Sequence, residues 1–183
     1  MESLEGQLLL ASPQLLDPNF VRTVILLVEH NDRGALGLVI NRPTGKTVQE
    51  LWKQVGESPC ESQQPVHLGG PVSGPLMAIH IADSLAEMEL AAGVFFAAKK
   101  QNLDELVRHD EHFKLFIGHA GWGPGQLEAE IEQGAWRAIP AKLEDIFAAD
   151  ADDLWQRLMH RAIAGVLPEM LGIKHIPPDP SLN

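Results

Sequence analysis

Tyrosine is absent from this chain, cysteine occurs once, and aromatic residues make up only 5% of it. One cysteine excludes an intrachain disulfide and a thiolate-built zinc site. Cys60 lies in Gly56-Glu57-Ser58-Pro59-Cys60-Glu61-Ser62, where neighbouring carboxylates disfavour the thiolate, so it reads as an ordinary loop thiol. The longest apolar run after the N-terminal segment, Val24 to Val28, falls far short of the ~20 residues that a spanning helix needs. Met1-Glu2-Ser3-Leu4-Glu5-Gly6 has no basic n-region, and the expectation is a soluble cytoplasmic protein without a membrane role. Basic residues are scarce too: 14 Lys+Arg face 25 Asp+Glu, a formal charge of −11. That balance argues against direct nucleic-acid binding, which draws on several phosphate contacts.

The 183 residues and their 45% hydrophobic content fit one globular domain over 1–183, with a loose tail at 176–183. Gln7–Ala11, Thr23–Val28 and Ala35–Ile40 read as strands, the last two joined through a turn over Glu29–Gly34. Their hydrophobicity is continuous rather than alternating, so both faces must be covered. Asn41-Arg42-Pro43-Thr44-Gly45 closes the third strand, Thr47 caps a short helix through Val55, and 56–65 form an exposed loop. Further strands are expected at Val66–Leu68, Leu76–Ile81, Met88–Leu90, Gly93–Ala97 and Phe113–Ile117. Helices are expected around Leu103–His109 and Gln126–Gln133. The tail from Asp150 is an amphipathic helix stopped by Gly165 and Pro168. Strands first and the longest helix last give an α+β fold.

Chemistry is thinly signalled. Gly118–Gln126 is a glycine-rich strand-to-helix turn, but it lacks the Gly-Lys-Ser/Thr of a phosphate loop, and Glu128, Glu130 and Glu132 follow it. It reads as a corner that lets Trp122 pack closely. Arg42 is a fixed cation at a strand end, suited to an internal ion pair with Glu29 or Glu50. The eight histidines show no H-E-x-x-H spacing; His109 and His112 sit in a polar stretch, and His80 is mid-strand. Ser73 fails the G-x-S-x-G pattern. Nothing calls for a metal or cofactor, and enzymatic activity is not indicated.

Several blocks together resemble the YqgE/AlgH family: Leu10–Val24, Glu29-His30, Gly34–Pro43 with its Asn41-Arg42-Pro43, Gly69-Gly70-Pro71-Val72, Ile79-His80, and Ala120–Glu128 with its Gly-Trp-Gly-Pro-Gly-Gln-Leu. They run in the family's order over most of residues 4–165. One departure is His119, where the family usually carries tyrosine. The resemblance implies a bifurcated mixed sheet curled into a pseudo-barrel with helices outside. It implies no settled activity, since members are described as uncharacterised cytosolic proteins or as candidate transcriptional regulators, and it brings no catalytic residues. The leading expectation is a non-enzymatic binding or regulatory module for a protein or small ligand, using His30, Asn41, Arg42, Gly70, His80, Trp122 and Gln126. A DNA-binding regulator, set against the acidic charge, and a hydrolase-type enzyme are the alternatives. No feature of the sequence fixes the oligomeric state.

Overall fold

A computed structural model describes residues 2–56, 58–109 and 112–170; the tail expected over 176–183 lies outside them. The first half of the chain runs β1 (Gln7–Ala11), β2 (Val24–Asn31), β3 (Gly34–Val39), β4 (Pro43–Thr47), α1 (Val48–Val55), β5 (Pro65–Leu68), β6 (Met77–His80), β7 (Met88–Ala91) and β8 (Val94–Ala97). The second half runs α2 (Lys100–His109), β9 (Phe113–Ile117), β10 (Ala120–Trp122), α3 (Gln126–Glu132), β11 (Trp136–Pro140), α4 (Leu143–Ile146) and α5 (Ala151–Met170). The fold is α+β, as expected.

Strand order is β10-β3-β2-β1-β11 in an antiparallel sheet and β4-β5-β9-β6-β8-β7 in a mixed sheet, where β5 and β9 alone are parallel. The chain crosses from one sheet to the other at residues 40–42. There Val39 N–H donates to the Gly69 carbonyl and Leu68 N–H to the Arg42 carbonyl, each at 2.8 Å. The two sheets therefore diverge from a common seam, a loose pseudo-barrel that does not close.

Alternation along each strand sends residues to both faces. Val24, Leu26 and Val28 of β2 join Leu8, Leu10, Ile79, Phe116 and the α5 residues Leu154 and Leu158 in a core between the sheets. Ile25 and Leu27 face the other way, against Trp122, Trp136 and Leu127 of α3. The outer face of the mixed sheet is covered by Trp52 of α1 and by Leu103, Leu106 and Val107 of α2. This double coverage is why the strands read as unbroken aliphatic runs.

Several local expectations need correction. The β2–β3 turn is Asp32-Arg33, not Glu29–Gly34, because ladder pairing continues through Asn31↔Gly34 around a bulge between Leu27 and Glu29. Pro43–Thr47 is an edge strand, where proline's missing N–H costs no ladder bond. Residues 56–65 are not simply exposed: Ser62 is buried, and the Ser62 and Gln64 carbonyls accept the Gln49 and Val48 N–H groups at the start of α1. Thr47 caps α1 as expected, in a full capping box with Glu50. Helix α5 runs through Gly165 and Pro168 to Met170. Gly165 does not take the left-handed φ that ends a helix, so it acts as an interior glycine rather than a stop.

Candidate functional site

The residues singled out from sequence fall at separate points, most already bonded. His30 Nδ1 accepts the Leu4 N–H at 3.0 Å, which leaves Nε2 to carry the proton and donate to Glu128 at 3.2 Å. Asn41 Oδ1 accepts Val24 N–H, and its Nδ2 donates to the Arg22 carbonyl. Arg42 donates to the Val21 carbonyl at 2.7 Å rather than forming the expected ion pair. Glu50 is committed to the α1 cap, and Glu29 accepts from Asn31. Gly70 lies where the chain passes so close to His119 that a Cβ would sit 2.2 Å from the His119 carbonyl carbon. His80 is fully buried, its ring beside Phe95 on the outer face of the mixed sheet.

Trp122 and Gln126 do meet, on Glu130. Both indole N–H groups of Trp122 and Trp136 donate to Glu130 Oε2, at 2.9 and 2.8 Å, and Gln126 Nε2 donates to Oε1. The two indoles pack edge to face at 5.9 Å. Gln126 also accepts from the Gly123 N–H. Trp122 is buried in this corner, but the glycines are not what lets it pack: a Cβ on Gly121 or Gly125 would meet nothing within 4 Å, and Gly118 and Gly125 serve instead by taking a left-handed φ of 72°.

A different set of residues converges on a cavity of about 380 Å³. Its walls come from Pro43 at the start of β4, Pro65 and His67 of β5, Phe113 and Lys114 of β9, and the α4–α5 connection at Phe147–Ala149. A wider groove of about 610 Å³ lies along β11 and α5, but among the described residues its only charged lining side chain is Arg137. The smaller cavity is the one built around a buried cation.

Lys114 sits on a central strand of the mixed sheet and is 8% exposed. Alternation puts it on the core face with Phe116, and His67 pairs opposite Phe116, so both basic side chains share that face. Lysine is rarely this buried without a counterion. Here its Nζ donates to the Ile40 and Ala148 carbonyls, at 3.2 and 3.3 Å. An ammonium has three N–H donors. Among the described residues the third finds no acceptor, and no carboxylate lies within ion-pair distance. Burial lowers the amine's pKa from 10.5 to about 8, with Asp150 opposing the shift from farther away.

His67 is 4% exposed, and its Nδ1 has no hydrogen-bond partner. Burial, and then the Lys114 charge, hold its pKa down to about 4, against the pull of the Pro65 carbonyl. The ring is neutral at physiological pH, its Nδ1 and the third Lys114 position both unsatisfied. His112 lines the cavity as well.

The signal for this site was present in the sequence. A lysine interrupts the otherwise apolar Phe113-Lys114-Leu115-Phe116-Ile117, a strand that must be covered on both faces. A charge there either pairs, shifts its pKa or serves a ligand.

The AlgH-like family profile matches residues 8–165. The UPF0301 protein of Chlorobaculum tepidum is 36% identical over 161 residues, covering 83% of each chain. That of Myxococcus xanthus is 36% identical over 177 residues, covering 93% of this chain and 96% of its own. In structure, this chain resembles the AlgH protein from Pseudomonas aeruginosa, with a TM-score of 0.74 at 29% identity over 96% of both chains. It also resembles a Corynebacterium diphtheriae protein, with a TM-score of 0.71 at 28% identity over 88% of both.

Proposed function

The chain belongs to the AlgH-like family, and from that premise we propose that it is a non-enzymatic binding or regulatory module whose ligand is a small anion held beside Lys114. Family membership brings no reaction with it, so the reading rests on the cavity. The observation that carries it is a buried ammonium that, among the described residues, has one donor unfilled and no carboxylate in contact. An anion placed there would supply both the missing acceptor and the missing charge.

The walls narrow the class. Phe113, Phe147, Ala148 and Ala149 are apolar, and among the described residues no acidic side chain lines the cavity, so a carboxylate with a short apolar tail matches it best. His67, neutral and with Nδ1 free, can supply a further polar contact. Binding of such a ligand would bridge β5, β9 and the Phe147–Ala149 connection, three segments distant in sequence. That is a means of coupling ligand to surface shape in a regulatory protein.

Thermal melting in butyrate tests the reading, since a ligand that binds only the folded state raises the melting temperature by mass action. The expected result is a concentration-dependent rise in the wild-type protein that is absent in Lys114→Met and not reproduced by butanol. Equal response of both proteins to butyrate would refute it.

A further inference from the structure

The two carbonyls that hold Lys114 also determine what its nitrogen becomes on losing a proton. Ile40 and Ala148 each take one N–H. The proton without an acceptor is the one released, and its position becomes the amine lone pair. Burial already makes that release easier than at a surface lysine. His67, on the same face and neutral, presents an unpartnered Nδ1 able to take up or return a proton.

We propose that Lys114 captures small carbonyl compounds, aldehydes and ketones including 2-oxo acids, as a reversible imine on Nζ within this cavity. The proposal rests on the cavity being a ligand site and names the chemistry of its ligand. The Nζ lone pair attacks the carbonyl carbon, forming the C–N bond as the C=O π pair moves onto oxygen. The surplus proton on nitrogen passes to that oxygen, with His67 as carrier, to give a carbinolamine. The nitrogen lone pair then expels the hydroxyl, which takes the remaining Nζ proton, again carried by His67, and leaves as water as the C=N bond of the neutral imine forms. Water is the only by-product and its return reverses the capture, so no oxidant or reductant is needed. A desolvated lysine in an apolar pocket is suited to this step because its neutral form is accessible near pH 7. The Phe113 and Phe147 walls favour a carbonyl compound with apolar substituents, and among the described residues the lining has no carboxylate to repel an acidic one.

The test is reductive trapping of the full chain with 2-oxobutyrate and sodium cyanoborohydride, followed by peptide mapping. Exposed Lys46 and Lys53 serve as internal references. The expected result is saturable modification of Lys114 about tenfold or more faster than of either reference at pH 7.5, with a rate that rises through a midpoint near 8. Modification of Lys114 no faster than of Lys46 and Lys53 would overturn the proposal. Butyrate, which has the charge but no carbonyl, separates the two levels. If butyrate raises the melting temperature of the wild type but not of Lys114→Met, while 2-oxobutyrate leaves Lys114 unmodified, the imine chemistry alone is overturned. If neither occurs, the ligand site falls with it.

Discussion

Asn41 Oδ1 accepts the main-chain N–H of Val24 at 2.9 Å, although the two residues lie 17 apart in sequence. The same amide donates to the carbonyl of Arg22, which holds a left-handed φ of 54° and places its guanidinium 5.6 Å from the Trp155 ring centroid. One side chain thus fixes the entry to β2 and the strained residue before it. Asn41→Leu should cost about 1–3 kcal/mol, chiefly because the buried Val24 N–H loses its acceptor, while the part-buried Arg22 carbonyl loses a donor that water can in part replace. Asn41→Asp, which keeps the acceptor and loses the donor, should cost less. Urea unfolding of the three proteins checks the order.

Glu130, in α3, carries a comparable load. Its Oε2 accepts two indole N–H groups and its Oε1 accepts Gln126. In Glu130→Gln one oxygen becomes an NH₂ that either loses the indoles or faces the Gln126 donor. We expect a loss of about 1–3 kcal/mol and a melting temperature lower by about 2–4 °C for each kcal/mol. Calorimetry measures the loss, and a shift in tryptophan emission reports the released indoles.

Stability should depend on pH through the two buried bases. His67 has a folded pKa near 4 against 6.5 in its model state, so the unfolded chain takes up the proton first. Its neutral ring contributes in full above pH 6.5, and roughly 3 kcal/mol is lost as pH falls towards 4. Lys114 acts in the same direction at alkaline pH. The folded chain releases its proton near 8 and the unfolded chain near 10.5, so stability rises across that interval. Glu87 is held below its usual 4.5: burial works against the shift, but N–H groups of Lys99 and Ala98 and the Asn102 amide outweigh it. Glu128 is also held low, by its own N–H first and then by His30 against burial. Their losses begin only below about pH 4.5 and do not mask the His67 effect. Urea midpoints from pH 4.5 to 10.5 should show an acid limb that flattens in His67→Leu and an alkaline rise that disappears in Lys114→Met.

Two glycines provide a contrast. A Cβ on Gly70 would meet the His119 main chain at 2.2 Å, whereas one on Gly121 meets nothing within 4 Å. Gly70→Ala should destabilise by more than about 3 kcal/mol or prevent folding, and Gly121→Ala should stay within about 0.5 kcal/mol of wild type. Soluble yield and urea midpoint distinguish them.

The early strands were legible because Val24–Val28 carries its pattern locally, and Thr47 and Glu50 announce the start of α1 three residues apart. Strand β11 was not: Trp136-Arg137-Ala138-Ile139-Pro140 contains a charge and a proline, and it is a strand because β1, far away in sequence, pairs with it residue by residue. The candidate site followed the same division. His30, Asn41 and Trp122 stand out as motif residues, yet their hydrogen bonds go to Leu4, Val24 and Glu130. Lys114 and His67 share a site only because β5 and β9 pair in parallel, a relationship that no local pattern encodes.

We propose that Lys114, buried and incompletely satisfied among the described residues, is a base that binds an anion. Carbon-13 NMR titration of the Lys114 Cε resonance, assigned through Lys114→Met, tests it directly. A midpoint near 8 in the free protein that moves upward in butyrate is the predicted result. A midpoint near 10.5 that butyrate leaves unchanged would contradict the account.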